Sequence, residues 1–159
     1  MSEVKSLDEL KAIRQNYKKE KKKVVFTNGC FDLIHAGHVD YLSKAKELGD
    51  VLIVGLNSDA SVKRLKGDKR PILLEAERAF LISNLKPVDY VTIFEEDTPA
   101  NLIGQLIPDI LVKGADWTID NIVGRDVVEA NGGVVKTIKF VNNQSTSKII
   151  DSILIKFGK

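Results

Sequence analysis

The chain has 159 residues, with 24 lysines and arginines against 22 aspartates and glutamates, a net charge of +2 with both histidines neutral, and 43% hydrophobic residues. That length suits one domain with one good-sized core, and the charge is too mild for a protein whose first task is to neutralise a nucleic-acid backbone. One cysteine, Cys30, excludes an intramolecular disulfide, and two histidines without a CxxC pair exclude the common structural zinc sites.

The start MSEVKSLDEL has no apolar h-region, and no apolar run approaches the length of a membrane span, so the expected compartment is the cytoplasm, with neither a membrane nor a nucleic-acid partner. Residues 1–23 carry eight basic and four acidic side chains, which leaves sixteen basic against eighteen acidic over 24–159. The body of the domain therefore has no basic field of its own.

Ser6 followed by Glu9 is a capping-box pattern, and Leu7, Leu10, Ile13 and Tyr17 recur behind it at helical spacing, predicting an amphipathic helix over 7–18. The lysine-rich run 18–23 reads as a solvated approach to the first strand. Residues 1–22 are thus expected to form a helix and basic approach ahead of a main domain at 23–159. From Lys23 the pattern becomes strand, loop, helix: strands at 24–27, 51–56, 89–94, 109–113 and 134–140, with helices near 38–48, 75–84, 98–106, 125–130 and 146–157. The last of these carries Ile149, Ile150, Ile153 and Leu154 on one face and is expected to close the domain. Short apolar strands alternating with helices predict an α/β fold, a Rossmann-like, doubly wound, five-stranded parallel sheet with helices on both faces. Ligands of such sheets sit outside the carboxyl ends of the strands at the switch point of strand order. The segments of interest are therefore 28–38, 57–70, 95–98, 113–118 and 141–147.

The first of these segments runs from Asn28 to His38. Neither GxGxxG nor a P-loop is present; instead His35 and His38 fall three apart, with Gly37 between them, at a predicted helix N-terminus. Free backbone N–H groups and the helix dipole favour an anion there. Gly37 allows close approach of an oxyanion to the main chain, and two imidazoles can donate to phosphoryl oxygens. A metal-binding pair would sit at i, i+4 with an acidic third ligand, and that pattern is missing. Two unrelated surface or capping histidines are the alternative that spacing alone leaves open.

The surrounding residues, GCFDLIHAGH at 29–38, resemble the GxFDxxHxGH signature of the cytidylyltransferase-like superfamily of nucleotidyltransferases. The resemblance implies that His35 and His38 serve the α- and β-phosphates of ATP, and that Asn28, Gly29, Cys30, Phe31 and Gly37 line the nucleotide cleft. Cys30 stands where many members have threonine and reads as a small packed residue, because no base neighbours it. In similar enzymes a lysine from the segment after the second strand reaches the phosphates. Of Lys63, Arg64, Lys66, Lys69 and Arg70, the choice is Lys66, which precedes Gly67, with Lys63 second. Glu75-Ala76-Glu77-Arg78 resembles the family's E-R element, where Arg78 either faces the site or pairs with Glu75 at i, i+3.

Lys113, Gly114, Asp116 and Trp117 leave the fourth strand, where the resemblance implies that they contact the nucleotide. Here Gly114 permits a sharp exit, Asp116 can accept from a base or ribose, and Trp117 offers a face for stacking. Ser145, Thr146 and Ser147, after Gln144, are either ordinary helix caps or the family's S-T-S/T element that holds the nucleotide phosphates. The glycerol-phosphate and choline-phosphate branches carry R-T-E-G just before that cluster, whereas this chain has Val141-Asn142-Asn143-Gln144. The stretches 27–42, 94–103, 108–117 and 129–135 look like the branch that adenylylates D-glycero-D-manno-heptose 1-phosphate.

That resemblance implies ATP and a sugar 1-phosphate as substrates, ADP-heptose and pyrophosphate as products for lipopolysaccharide or surface-glycan synthesis, and Mg²⁺ carried on the ATP phosphates with no protein ligand set. It further implies a homodimer. In many bacteria the activity is one half of a bifunctional protein with a sugar kinase; 159 residues fit the stand-alone form. The remaining alternatives are transfer to glycerol 3-phosphate, pantetheine phosphate or a flavin mononucleotide, or a nucleotide-binding module without turnover.

Overall fold

The computed structural model describes residues 3–139 and 145–158. Six strands form one all-parallel sheet: β1 (Glu3–Val4), β2 (Val24–Gly29), β3 (Val51–Asn57), β4 (Tyr90–Phe94), β5 (Ile110–Gly114) and β6 (Val134–Ile138), in the order β1-β4-β3-β2-β5-β6. The helices are α1 (Leu7–Lys19), α2 (Ala36–Lys46), α3 (Asp59–Lys66), α4 (Glu75–Ser83), α5 (Ala100–Leu106), α6 (Arg125–Ala130) and α7 (Thr146–Phe157). The five predicted strands are all present. Two-residue β1 is an addition at the edge, paired through Glu3↔Tyr90 and Val4↔Val91, and too short to show a period.

Local chemistry accounts for the elements. The Ser6 hydroxyl accepts from the Glu9 N–H, and the Glu9 carboxylate accepts from the Ser6 N–H at 2.8 Å, so α1 starts on a complete capping box. Strands β2 and β3 are covered on both faces, which is why both read as near-continuous apolar runs. On one face Tyr41 and Leu42 of α2 and Ile82 of α4 pack against Val25, Val54 and Val112. On the other, Leu10 of α1, Leu102 and Ile103 of α5 and Val128 of α6 pack against Phe26, Ile53 and Leu111. The alternation of Val25 with Phe26, and of Leu111 with Val112, is the strand pleat sorting neighbours to opposite faces.

The strands part at one place. β2 runs alongside β3 as far as Gly29↔Leu56, and β5 alongside β6 as far as Gly114↔Ile138, yet β2 and β5 pair only through Val25↔Ile110 and Phe26↔Leu111. The sheet therefore splits between β2 and β5 at their carboxyl ends. This is also where the winding reverses, since β3 lies to one side of β2 and β5 to the other.

Helix α7 has the predicted bounds but not the expected packing. None of its residues is buried, and Ile155 and Phe157 are 84% and 79% exposed. Among the described residues, no side chain of α7 belongs to either core cluster. Among the described residues no helix is long and apolar enough to cross a membrane.

Candidate nucleotide site

The turn leaving β2 is shaped by two close approaches. Phe31 adopts a left-handed backbone conformation at φ +44°, and its ring folds back so that a Cβ on Gly29 would lie 3.0 Å from it. That leaves the Phe31 ring buried and 5.3 Å from the His38 ring. His35, in extended conformation, is the N-cap of α2, and its carbonyl accepts from the His38 N–H at 2.9 Å, so His38 stands in the first turn. The two imidazoles stack with centroids 3.9 Å apart.

Burial without partners defines this turn chemically. Among the described residues, the buried side-chain polar atoms lacking a hydrogen bond are Arg14 Nη1, Asn28 Oδ1, His35 Nδ1 and His38 Nδ1. Three of the four belong to the segment 28–38, and a buried polar atom left alone requires an explanation. Desolvation pushes the pKa of both histidines down, that of His38 to about 4 with the nearby charge of His35 adding to the effect. Both rings are consequently neutral at pH 7, each with one N–H to donate.

The pH dependence of stability follows. Between pH 6.5 and about 4 the unfolded chain takes up a proton that native His38 refuses, so the unfolding free energy falls as pH falls through that window. His38→Gln is expected to flatten that slope relative to the parent in urea melts at pH 4.5 and 6.5. Equal slopes would remove His38 from the effect.

The same turn is fastened from behind by a residue that sequence reasoning passed over. The buried Asp32 carboxylate accepts from the Ile72 N–H at 2.8 Å, the Leu73 N–H at 3.0 Å and Arg70 Nε at 2.5 Å. Burial opposes its ionisation, but the Leu73 and Ile72 N–H groups and the Arg70 guanidinium outweigh that and hold its pKa below the usual value. The signal was present in the Phe-Asp pair of the motif, whose aspartate organises the 70–73 loop against the histidine turn.

Arg78 corrects a reading. It neither faces the crevice nor pairs with Glu75. Fully buried, it donates from Nη1 to the carbonyls of Cys30 (2.6 Å) and Asn57 (2.9 Å), from Nε to that of Leu73 (3.0 Å), and from Nη2 to the Asp59 carboxylate (2.7 Å). Glu75 accepts from the Asp59 N–H instead. The reason lies in supply: three carbonyls and a carboxylate converge there, and only a guanidinium can serve all four.

The basic segment resolves by elimination. Lys63 pairs with Asp68, Arg64 with Asp97 and Arg70 with Asp32, which leaves Lys66 and Lys69 without an ion pair among the described residues. Lys66 ends α3, and its charge acts on the Cys30 thiol, countering part of the desolvation that raises that pKa. A raised thiol pKa fits Cys30 as a packed residue.

At the end of β5, Lys113 Nζ lies 3.4 Å from the Asn28 carbonyl and 5.7 Å from the centroid of the Trp117 ring, with Gly114 buried beside it. Trp117 is half exposed and belongs to no core cluster; Asp116 is exposed. Ser145 caps α7 by accepting from the Lys148 N–H at 3.2 Å, with Thr146 and Ser147 in the first turn. No contact among the described residues joins these three to the histidine turn, and Val141 to Gln144 lie outside the described residues. An open cavity of about 420 Å³ beside β4 and α5, lined by Thr92, Glu95, Glu96 and Asn101, touches none of the predicted site residues.

A parallel sheet that opens at its switch point, with neutral imidazoles at a helix N-terminus on its rim, matches the class of the nucleotidyltransferases. Comparison with known proteins narrows the class. The chain belongs to the cytidylyltransferase-like family, whose sequence profile matches residues 26–156. It is 56% identical over 158 residues to the bifunctional protein HldE of Geobacter metallireducens, covering 99% of this chain and 32% of that one. Its identity to the protein of the same name from Campylobacter concisus is 57% over 150 residues, covering 94% and 30%. The chain thus spans about a third of the length of the curated relatives it matches.

Among solved structures, the lipopolysaccharide core biosynthesis protein from Thermoplasma volcanium superposes with a TM-score of 0.64 at 31% identity, over 77% of this chain and 99% of that one. Pantoate-beta-alanine ligase from Francisella tularensis, at 14% identity and a TM-score of 0.60 over 92% of this chain and 69% of that one, shares the fold.

Proposed function

We propose that this domain transfers AMP from ATP to D-glycero-D-manno-heptose 1-phosphate, releasing pyrophosphate and forming ADP-heptose for lipopolysaccharide or another surface glycan. The observation that carries nucleotidyl transfer is the pair of unpartnered imidazole nitrogens at the N-terminus of α2. The sugar phosphate is supported by similarity over nearly the whole chain to proteins named HldE, and by likeness to a lipopolysaccharide core biosynthesis protein.

The attacking phosphate has a second pKa near 6, so its oxygen is a nucleophile at neutral pH without a general base. That oxygen bonds to the α-phosphorus of ATP as the bond to the bridging oxygen breaks, and the electron pair leaves with pyrophosphate. His35 and His38 donate to the phosphates on the leaving side, where charge accumulates, and the α2 N-terminus adds its dipole. The main chain at Gly29, Cys30, Phe31 and Gly37 lines the nucleotide cleft, with Asp116, Trp117 and the Ser145, Thr146 and Ser147 hydroxyls on the nucleotide's other side. Mg²⁺ would come bound to the ATP phosphates and would supply charge neutralisation there; the described residues hold no cluster of three His, Cys, Asp or Glu.

Lys66 approaches the phosphates from the end of α3. Lys66→Ala is expected to lower kcat/KM for ATP about tenfold or more, the size of a lost charged hydrogen bond, and Lys69→Ala to leave it unchanged. Unequal effects in the opposite order would transfer the role to Lys69. The apolar outer face of α7 supports a homodimer, and the single free cysteine and ATP dependence support a cytoplasmic location.

A pyrophosphate-release assay tests the function. Release is expected with ATP and the heptose 1-phosphate, in one anomer, and not with CTP. Release with CTP alone, or with glycerol 3-phosphate in place of the sugar phosphate, would overturn the assignment.

A further inference from the structure

We infer that Lys113 and Asn28 form the acceptor subsite, with Lys113 Nζ binding the phosphate of the incoming phosphomonoester and Asn28 Oδ1 accepting a hydrogen bond from a hydroxyl of its sugar. This deepens the reading above and rests on it for the reaction. It also moves both residues from the nucleotide, where the family resemblance put them, to the other substrate.

The sheet's split is the first ground. Beyond Phe26↔Leu111 strands β2 and β5 no longer pair, and the Lys113 side chain reaches across the gap to the Asn28 carbonyl. Among the described residues no carboxylate lies within ion-pair distance of Lys113, although Asp116 acts on it at longer range. Burial pushes its pKa down to about 8. A desolvated ammonium held by one long hydrogen bond and the face of the Trp117 ring lacks an anion at ion-pair distance, and its site at the switch point is where a ligand enters.

The pleat supplies the direction. A Cβ on Gly55 would meet the Phe26 ring, Leu102 and, at 3.2 Å, Asn28 Cβ, so the Asn28 side chain is on the Phe26 face of the sheet. Lys113 is two residues beyond Leu111, which belongs to the same cluster, and therefore shares that face. Helix α2 packs on the opposite face through Tyr41 and Leu42. The Lys113–Asn28 pair and the histidines thus flank the rim of the sheet from opposite sides.

Displacement at phosphorus does the rest. The entering and leaving oxygens stand roughly in line. With the leaving pyrophosphate on the α2 side, the nucleophile comes from the Lys113 side, and Lys113 is the cation there. Asn28 Oδ1, buried and without a hydrogen-bond partner among the described residues, cannot face a phosphate dianion, which offers only acceptors. It takes an O–H, and a sugar attached to the phosphate brings several.

Calorimetric titration of the whole domain tests this, first with a non-reacting ATP analogue and then, with the analogue saturating, with heptose 1-phosphate. Lys113→Met is expected to weaken sugar-phosphate binding about tenfold or more, to leave the ATP-analogue affinity within about twofold, and to raise the melting temperature of the free protein, since a desolvated charge without an ion-pair partner is gone. Lys113→Arg should recover part of the loss. Asn28→Ala should weaken the heptose phosphate but not inorganic phosphate.

Equal losses for the analogue and the acceptor, unchanged acceptor binding, or a lowered melting temperature that accounts for the loss would overturn the subsite. If the parent rejects heptose 1-phosphate but turns over another phosphomonoester, the substrate assignment fails, and the Lys113→Met titration with that compound still decides the subsite. A parent inert to every phosphomonoester overturns both.

Discussion

Replacing His38 with alanine is expected to lower kcat about 10²-fold or more, the cost of losing one preorganised donor from a site where charge develops. The effect should fall on kcat more than on KM for ATP, because the pyrophosphate oxygens gain charge only as the bond breaks. The fold should survive. His38 contributes its backbone N–H, not its ring, to the start of α2, and its Nδ1 has no hydrogen-bond partner among the described residues to abandon. Pyrophosphate release under saturating ATP and acceptor, alongside a circular dichroism melt, gives both readings. A variant with parental turnover removes the histidine from the chemistry, and one that loses activity only in step with its melting temperature makes the ring structural. His35→Ala should act in the same direction, and the double variant should cost less than the product of the two. The stacked rings, 3.9 Å apart, desolvate one another and act as a unit.

What was legible in the sequence was whatever rests on local pattern. Val24 to Phe26 and Val51 to Leu56 announce strands buried on both faces because a doubly covered sheet leaves no position polar. The turn between them announces a phosphate site because its glycines and histidines serve a backbone geometry confined to ten residues. Long-range pairing was not legible. By sequence Arg78 either faces the site or pairs with Glu75 at helical spacing, yet its acceptors lie on Cys30, Asn57, Asp59 and Leu73, and nothing local marks where those groups converge. Asp32 carried a signal in the motif itself, but its partners at 70–73 belong to a loop whose position depends on the whole sheet. Helix α7 shows the converse. Its amphipathic period predicted the helix correctly, and period alone says nothing of what covers the apolar side.

Arg78→Met should be the most destabilising single substitution at the site, about 3–5 kcal/mol from breaking a buried charged network by removing one partner. At about 2–4 °C per kcal/mol for a chain of this size, the melting temperature should fall by roughly 6–20 °C. The reason is geometric. One guanidinium satisfies the carbonyls of Cys30, Asn57 and Leu73 and the Asp59 carboxylate at 2.6–3.0 Å, with no exposed atom. Methionine fills the volume and leaves those acceptors facing one another, each carrying its own desolvation cost. Lysine is not a substitute in kind: the Arg78→Lys variant keeps the charge but offers one nitrogen in place of a planar fork, so it should recover little stability. Activity should drop as well at temperatures where the variant remains folded. The Cys30 carbonyl leads into the histidine turn, Asn57 and Asp59 lead into the helix that ends at Lys66, and Leu73 belongs to the loop held by Asp32. Arg78 is therefore the common anchor of the segments that carry the phosphate-facing groups. Urea denaturation measures the stability term, and kcat/KM well below the midpoint measures the positioning term. Stability within about 1 kcal/mol of the parent would mean that water or a relaxed backbone replaces the guanidinium, and parental kcat/KM in a destabilised variant would confine Arg78 to the fold.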